Sequence, residues 1–532
     1  MIDLDILKKA IELTNKKEFE KAEALYLKLL EEEPNNHLLL STIGLFYADV
    51  KDFTKAEGYL LKACQIKKTA GTLSALGFAQ YEQHLYETAV KNLEQALELE
   101  ESSEVYNKIV LACFKIKDYA KAIKYTGLMY EKYPNDSNSV ANMVKSLTYT
   151  GKLREAEKVC IEYLKNNTDS SALWFHLGYL KELIYSDDKQ ACDCYKVAAE
   201  LGDVEAYYNM AVSFQKQGDF ANAEVYYKKF LEYMPNDKNG LSSLGMCYLT
   251  QKRFKEGYEL YFQRPKTKLD NITQNPYKLN DVLEEDIVVI CDQGYGDNIQ
   301  FVRYLPFLKN KVKRVSVATP KKLQKIFKEN YPEINFISYE DVNPKTQSIK
   351  IMDLKYLLGI DFDNIPYKSG YLKSEKMEIN SAKVKVGLCW EAGSSGIRTM
   401  INRTINVDLF EPIFNLSNIQ TYSFQVDDTF NGNEKYSQMI NLAKDFNDFS
   451  DTAKALMAMD VVVTVDTAVA HLAGALGVKT FLMLPYSSDW RWFKDTKITP
   501  WYDSIEIFKQ EHPVSWEKPI KDILCRLKEY SL

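Results

Sequence analysis

Small residues return at a nearly fixed step through the first half of the chain, and this feature narrows the choice of fold most. Ala22, Ala56, Ala89, Ala122, Ala156, Ala191, Ala223 and Gly257 are separated by 34, 33, 33, 34, 35, 32 and 34 residues. A second series lies about twelve residues earlier in several units, at Ala10, Gly44, Gly77, Gly178, Ala211 and Gly245. Large apolar residues follow the first series by four, as Tyr26, Leu60, Leu93, Tyr195, Tyr227 and Tyr261. Pro34, Pro134 and Pro235 close some units. The pattern predicts two antiparallel amphipathic helices per unit, with a small residue where two backbones approach and a large one filling the neighbouring gap. One such unit cannot bury its own apolar face, so the units must stack.

Trp174, Leu177 and Gly178 then resemble the first-helix pattern of the tetratricopeptide repeat. KEFEKAEALYLKLLEEEPNN (17–36) and GDFANAEVYYKKFLEYMPND (218–237) resemble its second helix. The resemblance implies an all-α solenoid of about eight repeats over residues 1–264. The units starting at 103 and 137 depart from it, with Val110 and Val144 where the others carry a small residue. A solenoid of this kind presents a concave face suited to a protein or peptide partner. Many of the tyrosines are read as packing residues.

Charge and cysteine usage exclude other classes. Lys+Arg is 68 and Asp+Glu is 74, a net charge of −6, which does not suit sequence-independent binding to nucleic acid. No apolar run reaches the ~18 residues of a membrane helix. The nearest, Val461 to Leu484, is interrupted by Asp466, His471 and Lys479. The opening MIDLDILKK carries acids where a secretory signal carries basic residues. The 9 cysteines show no disulfide framework or zinc spacing, with Cys192 and Cys194 the one close pair. A cytoplasmic protein with reduced thiols is expected.

The second half changes period. Residues 265–283 are polar, with Pro265 and Pro276, and read as a linker or an ordered connector. Short β-rich runs then alternate with helical segments: IVVIC (287–291), VSVA (315–318), INFI (334–337), IKIM (349–352), VKVGLCW (384–390), IQTYSF (419–424), VVVTV (461–465) and TFLML (480–484). Such alternation predicts parallel sheets in a doubly wound α/β fold. The polar run 366–383 divides the strands into two groups, so two lobes are expected, 284–375 and 376–532, with a crevice between them and a closing C-terminal helix. Ligands of such sheets sit beyond the strand C-termini.

Two strand-to-helix turns carry candidate chemistry. In DQGYGD (292–297), Gln293 leads into Gly294 and Gly296, which permit a tight turn, and Asp297 sits at a helix start. There it either caps the helix or serves as a general base. In DTAVAHLAGALG (466–477), Asp466, Thr467 and Ala468 open a short helix that Gly477 ends. Its unpaired N–H groups and positive dipole suit a diphosphate. His471 lies four residues beyond Thr467 on the same helical face and is either a ligand contact or a core histidine. After Trp390, the stretch 391–405 is Gly/Ser-rich, with Ser394, Arg398 and Arg403. Arg403 either clamps phosphate or is a solvated loop arginine. Asp489, Trp490 and Arg491 either line the same cleft or form a packed loop.

At these residues the domain resembles the heptosyltransferase-like glycosyltransferases of GT-B fold, and more closely bacterial proteins that fuse tetratricopeptide repeats to such a domain. The resemblance rests on DQGYGDNIQFVRYLPFL (292–308), GLCWEAGSS (387–395), RTINVDLFEPI (403–413), residues 448–477 and LPYSSDWRWF (484–493). It implies an α + α/β protein, an all-α solenoid followed by a two-lobed GT-B-like, double Rossmann-type domain. It implies inverting, metal-independent sugar transfer from a nucleotide sugar, with no cofactor. Asp297 is then the catalytic base. Gly294, Gly296, Trp390, Arg403, Asp466, Thr467, Ala468 and His471 hold the donor. Gln293, Ser394, Gln425, Asp489, Trp490 and Arg491 line the cleft. The acceptor is expected to be a protein Ser or Thr captured by the solenoid, for example flagellin or another surface protein. Two further readings are a transferase acting on a glycan or lipid, and a non-catalytic repeat scaffold with a nucleotide-binding α/β domain.

Overall fold

A computed structural model describes residues 3–278, 281–360, 362–392, 403–426, 436–493, 497–512 and 515–529. Two compact units divide the chain, Met1–Ala206 and Tyr207–Leu532. Among the described residues, no helix is long and apolar enough to cross a membrane.

Sixteen helices in eight pairs run from α1 (Leu4–Asn15) to α16 (Phe254–Tyr261), and the helical half is a tetratricopeptide-repeat solenoid. Asx caps mark several helix starts. Asn36 accepts from the N–H groups of Leu38 and Leu39, and Asp136 from those of Asn138 and Ser139. The small-to-large rule appears directly in the packing. A Cβ on Gly44 would lie 2.5 Å from Leu60 Cγ, and one on Gly178 would lie 2.8 Å from Tyr195 Cε1. The two departing units show the exchange in reverse. Val110 and Val144 are fully buried, and the residues four after their second-helix alanines are the smaller Thr126 and Cys160, also fully buried. Volume is traded across the helix pair, which close-packed interiors require.

Polar bonds link successive repeats. The glutamate that follows the small second-helix residue accepts from the next first helix. Tyr47 Oη donates to Glu23 at 2.6 Å and Gln80 Nε2 to Glu57 at 2.9 Å. Tyr185 Oη donates to Glu157 at 2.9 Å and Tyr248 Oη to Glu224 at 3.0 Å. Some tyrosines thus hold repeats in register as well as filling space.

The α/β region holds two all-parallel sheets. The first contains β1 (Asn275–Pro276), β2 (Asp286–Ile290), β3 (Arg314–Ala318), β4 (Asn335–Ile337) and β5 (Gln347–Lys350), ordered β1-β5-β2-β3-β4. The second contains β6 (Val384–Cys389), β7 (Ile419–Ser423), β8 (Ile440–Asn441), β9 (Val461–Val465), β10 (Thr480–Leu484) and β11 (Ile505–Lys509), ordered β11-β10-β9-β6-β7-β8. Strand order reverses at β2 in one sheet and at β6/β9 in the other, the places where α/β sheets receive ligands.

Some expectations shift. The run IKIM, expected as a strand over 349–352, begins its strand at Gln347 and ends at Lys350, because Gln347 registers against Ile287 of β2. Part of the 265–283 segment is an ordered connector. Its β1 pairs with β5, and its proline stands on the sheet edge where no ladder N–H is needed. The compact-unit boundary also precedes the expected end of the solenoid. Leu249, Tyr258 and Tyr261 of the last repeat are buried in one core with residues of both sheets. Tyr258 packs on Tyr356 and Trp490 with centroids 5.8 and 6.2 Å away.

Candidate functional site

The two turns singled out in the sequence meet. Asp297 lies in the first turn of the Tyr295–Phe301 helix, after N-cap Gly294. Thr467 is the N-cap of the Ala468–Leu476 helix, and Gly477 ends that helix in the left-handed region at φ 75°. A Cβ on Gly296 would lie 3.5 Å from Ala468 Cα and 2.7 Å from His471 Cδ2. Only a residue without a side chain lets these two helices approach so closely.

Charged side chains gather where the two turns meet. Arg491 Nη2 lies 2.5 Å from Asp297 Oδ1, and its Nη1 lies 2.5 Å from Asp489 Oδ1. Arg403 Nη1 donates to Asp466 Oδ2 at 3.3 Å, and His471 Nε2 lies 3.9 Å from Asp466 Oδ1. Burial raises the Asp297 carboxyl above its ordinary range, against the pull of Arg491. Burial pushes Asp466 up to about 6, with Asp489 adding to the rise, while Arg403 and a hydrogen bond with Trp492 oppose it. Burial would also raise Asp489, but Arg491 and a backbone N–H overcome it and hold that carboxyl low.

Several expected contacts change role. His471 is buried, its ring stacked on Trp492 at 5.1 Å and its Nδ1 3.0 Å from Tyr502 Oη. Burial, helped by Arg491, lowers it to about 3, so the ring stands neutral near pH 7. Trp390, expected to hold the donor, is buried in the apolar core of the second sheet together with Ile405 and Phe410, one residue after β6 ends. Trp490, expected to line the cleft, packs edge-on to Trp501 and on Tyr258 and Tyr261. Of the two readings for Asp489–Arg491, the packed loop describes Trp490, while its charged neighbours reach the site.

Gln425 is buried and positions backbone. Its Oε1 accepts from Glu391 N at 3.1 Å, just beyond β6. Gln293 Nε2 donates to Asp292 Oδ2 at 3.1 Å. Ser394 and Arg398 lie outside the described residues. Gly294 rather than Asp297 is the N-cap, and Asp297 stands in the first turn, where its charge meets the positive end of the helix. At the Thr467 helix, the first N–H within the turn that finds a helix carbonyl is that of Ala470, 3.1 Å from Thr467 O. The preceding amides are those a helix start leaves without intrahelical partners.

Sequence reasoning did not single out Arg303. Its guanidinium is fully buried, donates to Trp501 O at 2.9 Å and lies 4.3 Å from the Tyr371 ring centroid. It fastens the chain just after the Asp297 helix to the loop following β10. A lone arginine inside the apolar run IQFVRYLPFL was its only signal.

The tetratricopeptide-repeat family matches at residues 204–237. Protein FlbA of Caulobacter vibrioides is 21% identical over 543 residues, spanning 91% of this chain and 88% of that protein. Protein O-mannosyl-transferase TMTC1 of Homo sapiens is 23% identical over 232 residues, 42% of this chain and 26% of that protein. Among solved structures, a tetratricopeptide repeat protein from Parabacteroides merdae is 15% identical, covering 49% of this chain and 97% of its own, with a TM-score of 0.39. The chain is thus similar to the repeat family over residues 204–237 and weakly similar to an O-mannosyl-transferase.

Proposed function

We propose that this chain is an inverting, metal-independent glycosyltransferase with a GT-B-like α/β domain. It takes a sugar from a nucleoside-diphosphate sugar and passes it to a protein Ser or Thr hydroxyl recruited by the repeats. One observation carries the reading: the Asp297 carboxylate and the amide-rich start of the Thr467 helix stand together, with Arg491 and Arg403 beside them. The weak similarity to an O-mannosyl-transferase supports the reaction class.

In the reaction, the acceptor oxygen bonds to the anomeric carbon as the bond to the diphosphate oxygen breaks. Asp297 takes the hydroxyl proton, and the nucleoside diphosphate leaves with the bonding electrons. The leaving group gains charge, which the Ala468 and Val469 amides, Arg403 and Arg491 stabilise, typically by ~3–4 kcal/mol for an important donor. Arg491 holds both Asp297 and Asp489 in this structure. A diphosphate competing for that guanidinium frees Asp297 to act as base. Residues 284–375 and 376–532 are assigned as acceptor-side and donor-side lobes, with flagellin or another surface protein as the acceptor class.

The test incubates the full chain with a panel of nucleotide sugars and candidate acceptor proteins. Release of nucleoside diphosphate coupled to a mass increase on the acceptor supports the reading. Donor binding with no release under any acceptor would leave a nucleotide-binding scaffold instead.

A further inference from the structure

A second buried group of charges lies at the carboxyl edge of β2 and β5. Arg264, just after the last repeat helix, donates to Asp353 through Nη1 at 2.6 Å and Nη2 at 3.3 Å. The same Nη2 reaches Asp292 Oδ2 at 3.4 Å. Lys350 pairs with Asp270 at 2.6 Å and lies 4.0 Å from Asp292 Oδ2. Gln293 donates to that same oxygen. These donors all reach Oδ2. Asp292 Oδ1 is buried without a hydrogen-bond partner, and so is Arg264 Nε. Both side chains are more than nine-tenths buried, at 1% and 6% exposure.

Asp292 and Arg264 line a cavity of about 340 Å³. Phe262 at the end of the last repeat helix and Tyr277 of the connector wall it, and Lys238, Lys266 and Lys278 stand at its edge. Those three lysines are exposed. The volume falls in the lower range of small-molecule sites, ~300–1,000 Å³. A buried acceptor and a buried donor left unmade each cost ~1–3 kcal/mol. A hydroxyl answers both, donating to Oδ1 and accepting from Nε–H. The floor holds three carboxylates against two cations, so it repels an anion, whereas the three lysines outside attract one.

We propose that this cavity binds a small phosphorylated polyol, hydroxyl end inward on Asp292 and Arg264, and phosphate outward on the lysine edge. The cavity shares no lining residue with the Asp297–Asp466 group, and the proposal stands whether or not the chain transfers sugar.

Titration calorimetry on the full chain tests it with glucose 6-phosphate, glucose and inorganic phosphate. One equivalent of glucose 6-phosphate binds, at least about tenfold more tightly than either glucose or phosphate alone. The double variant Lys266→Glu/Lys278→Glu changes exposed residues, keeps the thermal midpoint, and weakens glucose 6-phosphate by about tenfold or more. Asp292→Asn narrows the gap between glucose 6-phosphate and inorganic phosphate. Absence of binding, equal binding of inorganic phosphate, or indifference to the lysine reversals would each overturn the assignment. Because the readout is binding without donor or acceptor, its failure leaves the transferase reading untouched.

Discussion

Arg491 and Asp297 form an ion pair at 2.5 Å in which the guanidinium also holds Asp489. The carboxylate best placed to accept a proton is thus engaged by the cation best placed to meet a diphosphate. Asp297→Asn keeps donor binding, measured by calorimetry, and loses nucleoside diphosphate release by roughly 10²–10⁴-fold. Arg491→Ala strands two carboxylates and costs about 3–5 kcal/mol in denaturant unfolding. Undiminished release by Asp297→Asn would remove the base assignment.

Glycines separate close approach from mere tolerance. A Cβ on Gly296 meets His471 at 2.7 Å, so Gly296→Ala forces the two site helices apart and destabilises by about 1–3 kcal/mol. Gly58 lies in the Phe53–Ile66 helix, where a Cβ meets nothing within 4 Å. Gly58→Ala stabilises by about 0.5–1 kcal/mol. Thermal melts of the two variants, shifted in opposite directions, check the pair.

Asp466 makes stability depend on pH. Its folded value of about 6 exceeds the ordinary 3.8, so the folded state binds the proton more tightly. The stability this supplies is complete below pH 4 and is lost as pH rises through 6, by up to about 3 kcal/mol. His471 has the opposite sign. Its value is lowered from 6.5 to about 3, so its contribution is present above pH 6.5 and fades as pH falls toward 3. In Asp466→Asn, the stability difference from the parent moves in the variant's favour between pH 4 and pH 7. Parallel pH profiles for both proteins would refute the assignment.

The last repeat is part of the α/β body's core. A fragment beginning at residue 280 loses Tyr258 and Tyr261 from that core and leaves Asp292 and Asp353 without Arg264. An unpaired buried carboxylate costs about 3–5 kcal/mol. Such a fragment fails to unfold cooperatively, while one beginning at Val204 retains a sharp transition by circular dichroism.

Helix-pair volume exchange gives a further test. Gly178→Val drives a branched side chain against Tyr195, whose Cε1 lies 2.8 Å from a Cβ there. Adding Tyr195→Cys reproduces the Val144 and Cys160 combination of another repeat. A double-mutant cycle shows a favourable coupling of about 0.5–3 kcal/mol.

The repeat period, the parallel strands and the two strand-to-helix turns were legible in the sequence because they are local. A helix face repeats every few residues, a small residue marks a close contact, and a turn needs its glycine wherever it stands. The strand β11 was missed although Ile505, Ile507 and the intervening Glu506 alternate, because so short an edge run reads equally as loop. Tertiary structure alone decided the partners of charge. Asp297 and Arg491 are far apart in the chain, and only the packing of two sheets brings one guanidinium between Asp297 and Asp489. The same packing buries His471 and Trp390, draws the last repeat into the α/β core, and leaves Asp292 Oδ1 buried without a hydrogen-bond partner, because burial and ion pairing are set by what surrounds a residue in space rather than by its neighbours in sequence.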